Sequence, residues 1–194
     1  MLPVIAVASM AGTGSSSAFA QDMTNKVPMV RAVATTVNDT VSTVAQAATS
    51  TPAATPTLSQ LVESNMDGAP LDAQGKCLAT AVYFEAMGET LQGQLAVANV
   101  VINRANSGEF PSSWCGVVKQ RAQFSFVRNG RFPRIDVNGD AWAKAQAIAR
   151  VAALNLTSAL PGDVMWYHAD YVAPKWRSNL TKAQKIGAHI FYRS

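Results

Sequence analysis

The chain has 194 residues, of which 48% are hydrophobic and 14% charged, and it carries a net charge of +4. That balance excludes an intrinsically disordered protein, which would lack the apolar side chains for a core, and the length suffices for one domain with sequence to spare. No uninterrupted run of about 18 or more apolar residues occurs, so no membrane-spanning helix is expected in the body of the chain.

Leu2 to Met10 is apolar, and Ala18-Phe19-Ala20 ahead of Gln21 has the small-x-small form of a secretory cleavage site. Residues 1–20 are therefore expected to be an export signal, although the basic residues that usually open one are missing and the first is Lys26. Residues 21–70 are rich in Thr, Ala, Val, Ser and Pro and are expected to be a flexible linker, most clearly from Ala47 to Thr57, with one short helix from Leu58 to Met66. The folded domain is expected to occupy residues 71–194. Charge follows the same division: from Leu71 onward there are 14 Lys and Arg against 8 Asp and Glu, a balance of +6, whereas Gln21 to Pro70 has 2 against 4, a balance of −2. A basic domain suits an anionic polymer, nucleic acid or an acidic cell-wall glycan, but no tight basic stripe chooses between them.

The first helix of the domain is expected over Lys76 to Met87. Leu78, Ala81 and Val82 then fall at i, i+3 and i+4 of an apolar stripe, and the next position, i+7, is Glu85. A carboxylate removed from water costs several kcal/mol or shifts its pKa upward. Gly88 is expected to end the helix in a left-handed conformation, which puts Glu85 in the last turn, where the negative end of the helix dipole also disfavours its charge. Both effects favour a carboxylic acid still protonated near neutral pH, as a general acid must be.

Leu91 to Ala105 forms a second helix that is apolar nearly all round and is expected to be central to the core, ending at Ser107-Gly108. Ser112 is expected to cap a short helix through Trp114, Cys115, Val117 and Val118. Phe124 to Val127 reads as a strand and Asn129-Gly130 as a tight turn. Asp140 to Leu154 is an Ala-rich helix, with Asp140 as its expected N-cap. Val164 to His168 reads as a strand, Asp170 to Ser178 as a polar and aromatic loop, and Ile186 to Tyr192 as a closing strand. The sum is a mainly helical α+β domain with a small antiparallel β element.

Cys77 and Cys115 make an even count, and an exported chain is expected to join them. The bridge would close a loop of about 40 residues and stabilise by roughly 3–4 kcal/mol in the chain-entropy model; two buried free thiols are the alternative. No zinc spacing, H-E-x-x-H, G-x-G-x-x-G, Walker sequence or G-x-S-x-G elbow is present, so neither a metal nor a nucleotide cofactor is expected.

The run Tyr83-Phe84-Glu85-Ala86-Met87-Gly88-Glu89, followed by Gly93-Gln94-Leu95-Ala96-Val97-Ala98-Asn99-Val100-Val101-Ile102-Asn103-Arg104, resembles the opening of the SleB/CwlJ cell-wall hydrolase family. Phe110-Pro111, Val117-Val118 with Gln120, Gln123-Phe124-Ser125, His168, Pro174, Trp176 and the terminal Ile186 to Tyr192 continue the resemblance in order, over about Cys77 to Tyr192. The resemblance implies a lysozyme-like fold and cleavage of peptidoglycan glycan strands outside the cytoplasm, in the periplasm or cell wall. It places the catalytic acid at Glu85. It favours a lytic transglycosylase over a hydrolytic muramidase, with a non-catalytic wall-binding module as the rival of another class. The expected partner is the glycan strand, not nucleic acid, and the expected state is a monomer.

Around Glu85, the expected substrate contacts are Gln123 and Ser125 along the sugar path, and Tyr167, His168, Tyr171 and Trp176, whose aromatic faces and polar tips suit pyranose rings. Ordinary packing of a terminal strand and loop is the competing account of these aromatics. Glu89 is the tempting second carboxylate; a hydrogen bond to loop backbone, or the start of the second helix, competes with a substrate contact.

Overall fold

The computed structural model describes residues 54–194; the expected export signal and most of the expected linker lie outside them. Five helices lead into one small sheet: α1 (Leu58–Ser64), α2 (Ala73–Ala86), α3 (Leu91–Ser107), α4 (Trp114–Lys119), α5 (Asp140–Ala153), β1 (Val164–Ala169), a 3₁₀ turn (Lys175–Asn179), β2 (Thr181–Ile186) and β3 (His189–Arg193). The sheet is antiparallel in the order β1-β3-β2. No helix among the described residues is long and apolar enough to cross a membrane.

Helix α2 begins earlier than the sequence suggests because the Asp72 carboxylate caps it, accepting from the Gly75 amide at 2.7 Å. It packs against α3, α4 and α5, and Cys77, Leu78, Ala79, Ala81, Val82 and Ala86 are all buried. The expected single stripe is thus nearly a whole circumference. Helix α3 is buried in the same way and joins two cores. Its Leu95, Ala98 and Val101 pack with Leu78, Val82, Val118, Trp142 and Ile148, while Ala96 and Val100 pack with Leu160, Val164, Ile186 and Phe191 beneath the sheet. The expected disulfide is present between Cys77 of α2 and Cys115 of α4, with Cα atoms 5.1 Å apart.

Five expectations change. Residues 57–70 are part of the packed body: Thr57 and Gln60 cap α1 reciprocally, Val62 is buried in the main core, and the buried Arg150 of α5 donates to the carbonyls of Asn65, Gly68 and Ala69 at 2.9–3.1 Å. Phe124 to Val127 is not a strand. Its backbone closes on itself, Val127 N–H to Phe124 O at 3.1 Å, because Phe124 is drawn into the core and no neighbouring strand is there to pair with. The Asn129-Gly130 turn does form, with φ of 53° and 71°, carrying a lone bridge between Arg128 and Arg131. Ile186 to Tyr192 is a hairpin and not one strand, folded at Gly187 (φ 56°). Two caps also move by one residue: Ser113 caps α4, and Asp140 is the first helical residue of α5 behind Gly139.

Candidate active site

The cleft lies where the C-terminal end of α2 meets β1 and the irregular segment after α4. It encloses about 610 Å³, and Glu85, Arg104, Gln123, Ser125, Trp166, Tyr167, His168, Tyr171, Trp176 and His189 are among the residues lining it. Every expected site residue but one is therefore brought together. The exception is Glu89.

Glu85 occupies the last turn of α2, just before Met87 and the left-handed Gly88 (φ 93°). The helix is buried along its length and emerges into the cleft at this turn, so the carboxylate is half-buried. Burial raises its pKa above the ordinary 4.5, against the opposing pull of a hydrogen bond from Tyr167 and the positive charge of Arg104. The Tyr167 hydroxyl donates to Oε2 at 3.1 Å. A protonated carboxyl accepting that bond on Oε2 holds its own hydrogen on Oε1, the oxygen left without a partner inside the protein. Tyr167 thus selects the oxygen that presents the proton. Burial pushes the Tyr167 phenol well above its usual range, and the Glu85 charge pushes it further, so the tyrosine stays a donor.

Arg104 is the residue that sequence reasoning missed. It lies in the last turn of α3, buried, with Nε donating to the Met165 carbonyl at 2.7 Å and Nη1 to Gln123 Oε1 at 3.2 Å. Its guanidinium lies over the rings of Phe110 and Trp166. Desolvation lowers its pKa, partly offset by the charges of Tyr167 and Glu85, yet an arginine remains protonated. The adjacent Asn103 donates to the carbonyls of Pro161 and Val164, both at 2.9 Å. This Asn-Arg pair pins the start of β1, and with it Tyr167, to the end of α3. The signal that finds Glu85 would have found Arg104 too: Val97, Val100 and Val101 stand seven, four and three residues before it on a helix apolar all round.

The remaining residues divide by how committed they are. His168 is buried with both ring nitrogens engaged: Nδ1 donates to the Ala169 carbonyl at 2.8 Å and Nε2 meets the Tyr192 hydroxyl at 2.9 Å. Its ring stacks on Tyr192 and meets the edge of Trp176, so it supports the wall and has no nitrogen to offer. Gln123 is held by Arg104 and follows Ala122, which takes a left-handed φ of 63° at the cleft edge. Ser125 is exposed in the cleft, and Tyr171 projects at its rim, 86% exposed. His189 also faces the cleft; burial lowers its pKa against the attraction of Glu89 and Asp170.

Glu89 is a correction. It accepts from the backbone amide of Ala188 at 3.2 and 3.3 Å and approaches His189 Nδ1 at 3.9 Å. A Cβ on Gly187 would stand 1.8 Å from its Oε2, so the β2–β3 turn is shaped around this carboxylate. Glu89 ties the α2–α3 junction to the hairpin and does not line the cleft.

Among the described residues, Glu85 is the one carboxylate lining the cleft of a lysozyme-like α+β fold. The chain belongs to the Cell Wall Hydrolase family, which matches residues 88–192. That match opens three residues after Glu85, so the position of the acid rests on its geometry and on the opening motif. Similar proteins include the spore cortex-lytic enzyme of Bacillus subtilis, 32% identical over 133 residues that make up 67% of this chain and 41% of that protein, and the spore cortex-lytic enzyme of Halalkalibacterium halodurans, 35% identical over 59% of this chain and 33% of that protein. The matched part thus spans less than half the length of these relatives. Among solved structures, the catalytic domain of the germination-specific lytic transglycosylase SleB from Bacillus anthracis superposes with a TM-score of 0.53 at 29% identity, covering 65% of this chain and 98% of that domain.

Proposed function

We propose that this protein is an exported lytic transglycosylase that cuts the β-1,4 bond between N-acetylmuramic acid and N-acetylglucosamine in peptidoglycan, with Glu85 as its acid and then its base. The observation that carries this reading is the solitary carboxylate. Glycosidases that use water ordinarily need a second carboxylate as nucleophile or base, and no other lines this cleft among the described residues. A reaction whose nucleophile belongs to the substrate needs only one.

In this mechanism Glu85, whose protonated form burial favours, gives its proton from Oε1 to the glycosidic oxygen as the muramic acid C1 develops oxocarbenium character. The C1–O bond breaks, and the N-acetylglucosamine leaves with a new 4-hydroxyl. Glu85, now a carboxylate steadied by Tyr167 and the nearby positive charge of Arg104, takes the proton of the muramic acid 6-hydroxyl. That oxygen bonds to C1, giving a 1,6-anhydro end and restoring the acid. Trp176 and Tyr171 supply ring faces for the sugars, and Gln123 and Ser125 supply polar contacts. Resemblance to proteins named for cortex and wall lysis supports the substrate class, and the basic balance suits the carboxylates of its peptide stems.

The test is mass spectrometry of soluble products released from purified peptidoglycan by the full chain, beside Glu85→Gln. Anhydro-muropeptides from the parent alone support the reading. Reducing ends would make the enzyme a hydrolytic muramidase, and wall binding without products from either protein would make it a binding module.

A further inference from the structure

A second groove adjoins the cleft at Ser125. Ser125 lines both, and beyond it Phe126, Arg128, Arg131, Phe132 and Pro133 enclose about 410 Å³. An aromatic path joins them: Phe84 of the cleft wall stacks on Phe126 with centroids 4.8 Å apart, and Phe126 meets Phe132 at 6.1 Å. The Lys119 ammonium sits 5.2 Å from the Phe132 ring centroid. Residues 119–134 contain Lys119, Arg121, Arg128, Arg131 and Arg134 and not one acid.

The turn at the tip fixes two of these charges against each other. Arg128 and Arg131 exchange backbone hydrogen bonds at 3.1 and 3.0 Å across Asn129-Gly130, both of which have positive φ, as a tight hairpin turn requires. Residues opposed in this way project to one face with Cβ atoms about 5 Å apart, and like charges so placed repel. Both arginines are exposed, and neither has an ion-pair partner among the described residues. A local arrangement that opposes two unpaired guanidiniums beside an aromatic floor is relieved by an anion bridging them, and planar carboxylates match the guanidinium fork.

We propose that the Arg128–Arg131 turn is a carboxylate-binding arm of the substrate site, taking the acidic peptide stem of the glycan while its sugar occupies the Glu85 cleft. The inference rests on the peptidoglycan reading above and deepens it: the preferred substrate is a glycan strand still carrying free stem carboxylates. The phenylalanine floor receives the aliphatic parts of the stem, and the arginines receive its carboxylates.

Sedimentation of the full-length Glu85→Gln chain with intact sacculi, and with sacculi whose carboxyls have been capped as amides by carbodiimide coupling to glycinamide, tests this without turnover. Intact sacculi are expected to bind about tenfold more tightly at low salt, an advantage that shrinks as salt screens the charges. Adding Arg128→Gln and Arg131→Gln should remove the advantage, whereas Arg128→Lys with Arg131→Lys, which keeps the charge but loses the guanidinium fork, should keep only part of it. Equal binding of the Glu85→Gln chain to the two sacculi overturns the proposal with no arginine variant needed. An advantage that survives both glutamines overturns it too. Failure of the catalytic reading is separate: carboxylate-dependent binding without products from the parent chain removes the transglycosylase and leaves the arm standing.

Discussion

Glu85 and Glu89 stand on either side of Gly88, whose φ of 93° turns the chain out of α2 and toward α3. Before the turn, Glu85 faces an open cleft with one oxygen held by a tyrosine hydroxyl and the other free. After it, Glu89 faces the β2–β3 hairpin, and both its oxygens lie within 3.3 Å of the Ala188 amide. The two acids share a residue type and a sequence neighbourhood but differ in what satisfies them. A carboxylate with a fixed internal donor and a glycine carved around it is committed to holding the fold. A carboxylate left half-buried and half-satisfied beside substrate-sized space has its protonated form favoured by burial and one oxygen free.

The sharpest break of this comparison is Glu85→Gln, which should reduce product release about 1,000-fold or more, since a positioned acid commonly contributes two to four orders of magnitude. Its stability should move the other way. The folded pKa of Glu85 is raised, so its contribution to stability is intact below the unfolded value near 4.5 and is lost as pH rises through the folded value. The Gln variant escapes that loss, and its melting temperature relative to the parent should therefore increase between pH 4 and pH 7. A falling difference would contradict the assignment. Reducing the Cys77–Cys115 bridge should cost about 4 kcal/mol in the chain-entropy model, measured by denaturant titration with and without reductant.

Gly187→Ala addresses the other acid. Its Cβ would collide with Glu89 at a φ that disfavours a side chain, and a loss of about 2–3 kcal/mol is expected; an unchanged melting curve would show that the hairpin does not depend on Glu89. Tyr167→Phe should keep the fold, lower activity, and shift the alkaline limb of the pH–rate profile upward, because the hydrogen bond it removes lowers the Glu85 pKa. A downward shift would refute the role given to Tyr167. The smallest effect belongs to Glu89→Gln, whose amide oxygen can still accept from Ala188: about 1 kcal/mol of stability and little change in turnover. If its activity collapsed as in Glu85→Gln, the two carboxylates would belong to one site after all.

The helices were legible because their signals are local. Leu78, Ala81, Val82 and Glu85 share a helical period, and Gly88 and Gly108 end α2 and α3 as left-handed residues. The β region was not. Phe124-Ser125-Phe126-Val127 has the alternation of a strand, but the phenylalanines pack against α2 and against each other, and a strand exists only where another lies beside it. Strand β2, with the sequence Thr-Lys-Ala-Gln-Lys-Ile, is largely exposed at the sheet edge and carries little apolar pattern for a reader to find.

By itself, then, the sequence determined that this is a mainly helical α+β domain with an acid on the buried face at the end of its first long helix. Local spacing suffices for such features, because helix periodicity, caps and the cost of a buried charge act within a few residues. Only the tertiary structure decided which acid faces the cleft. It alone brought Arg104 and Tyr167 from α3 and β1 to Glu85, and turned Glu89 toward the hairpin. Those outcomes depend on contacts between residues up to 99 positions apart, whose geometry is set by the packing of α2 against α3 and of α3 beneath the sheet.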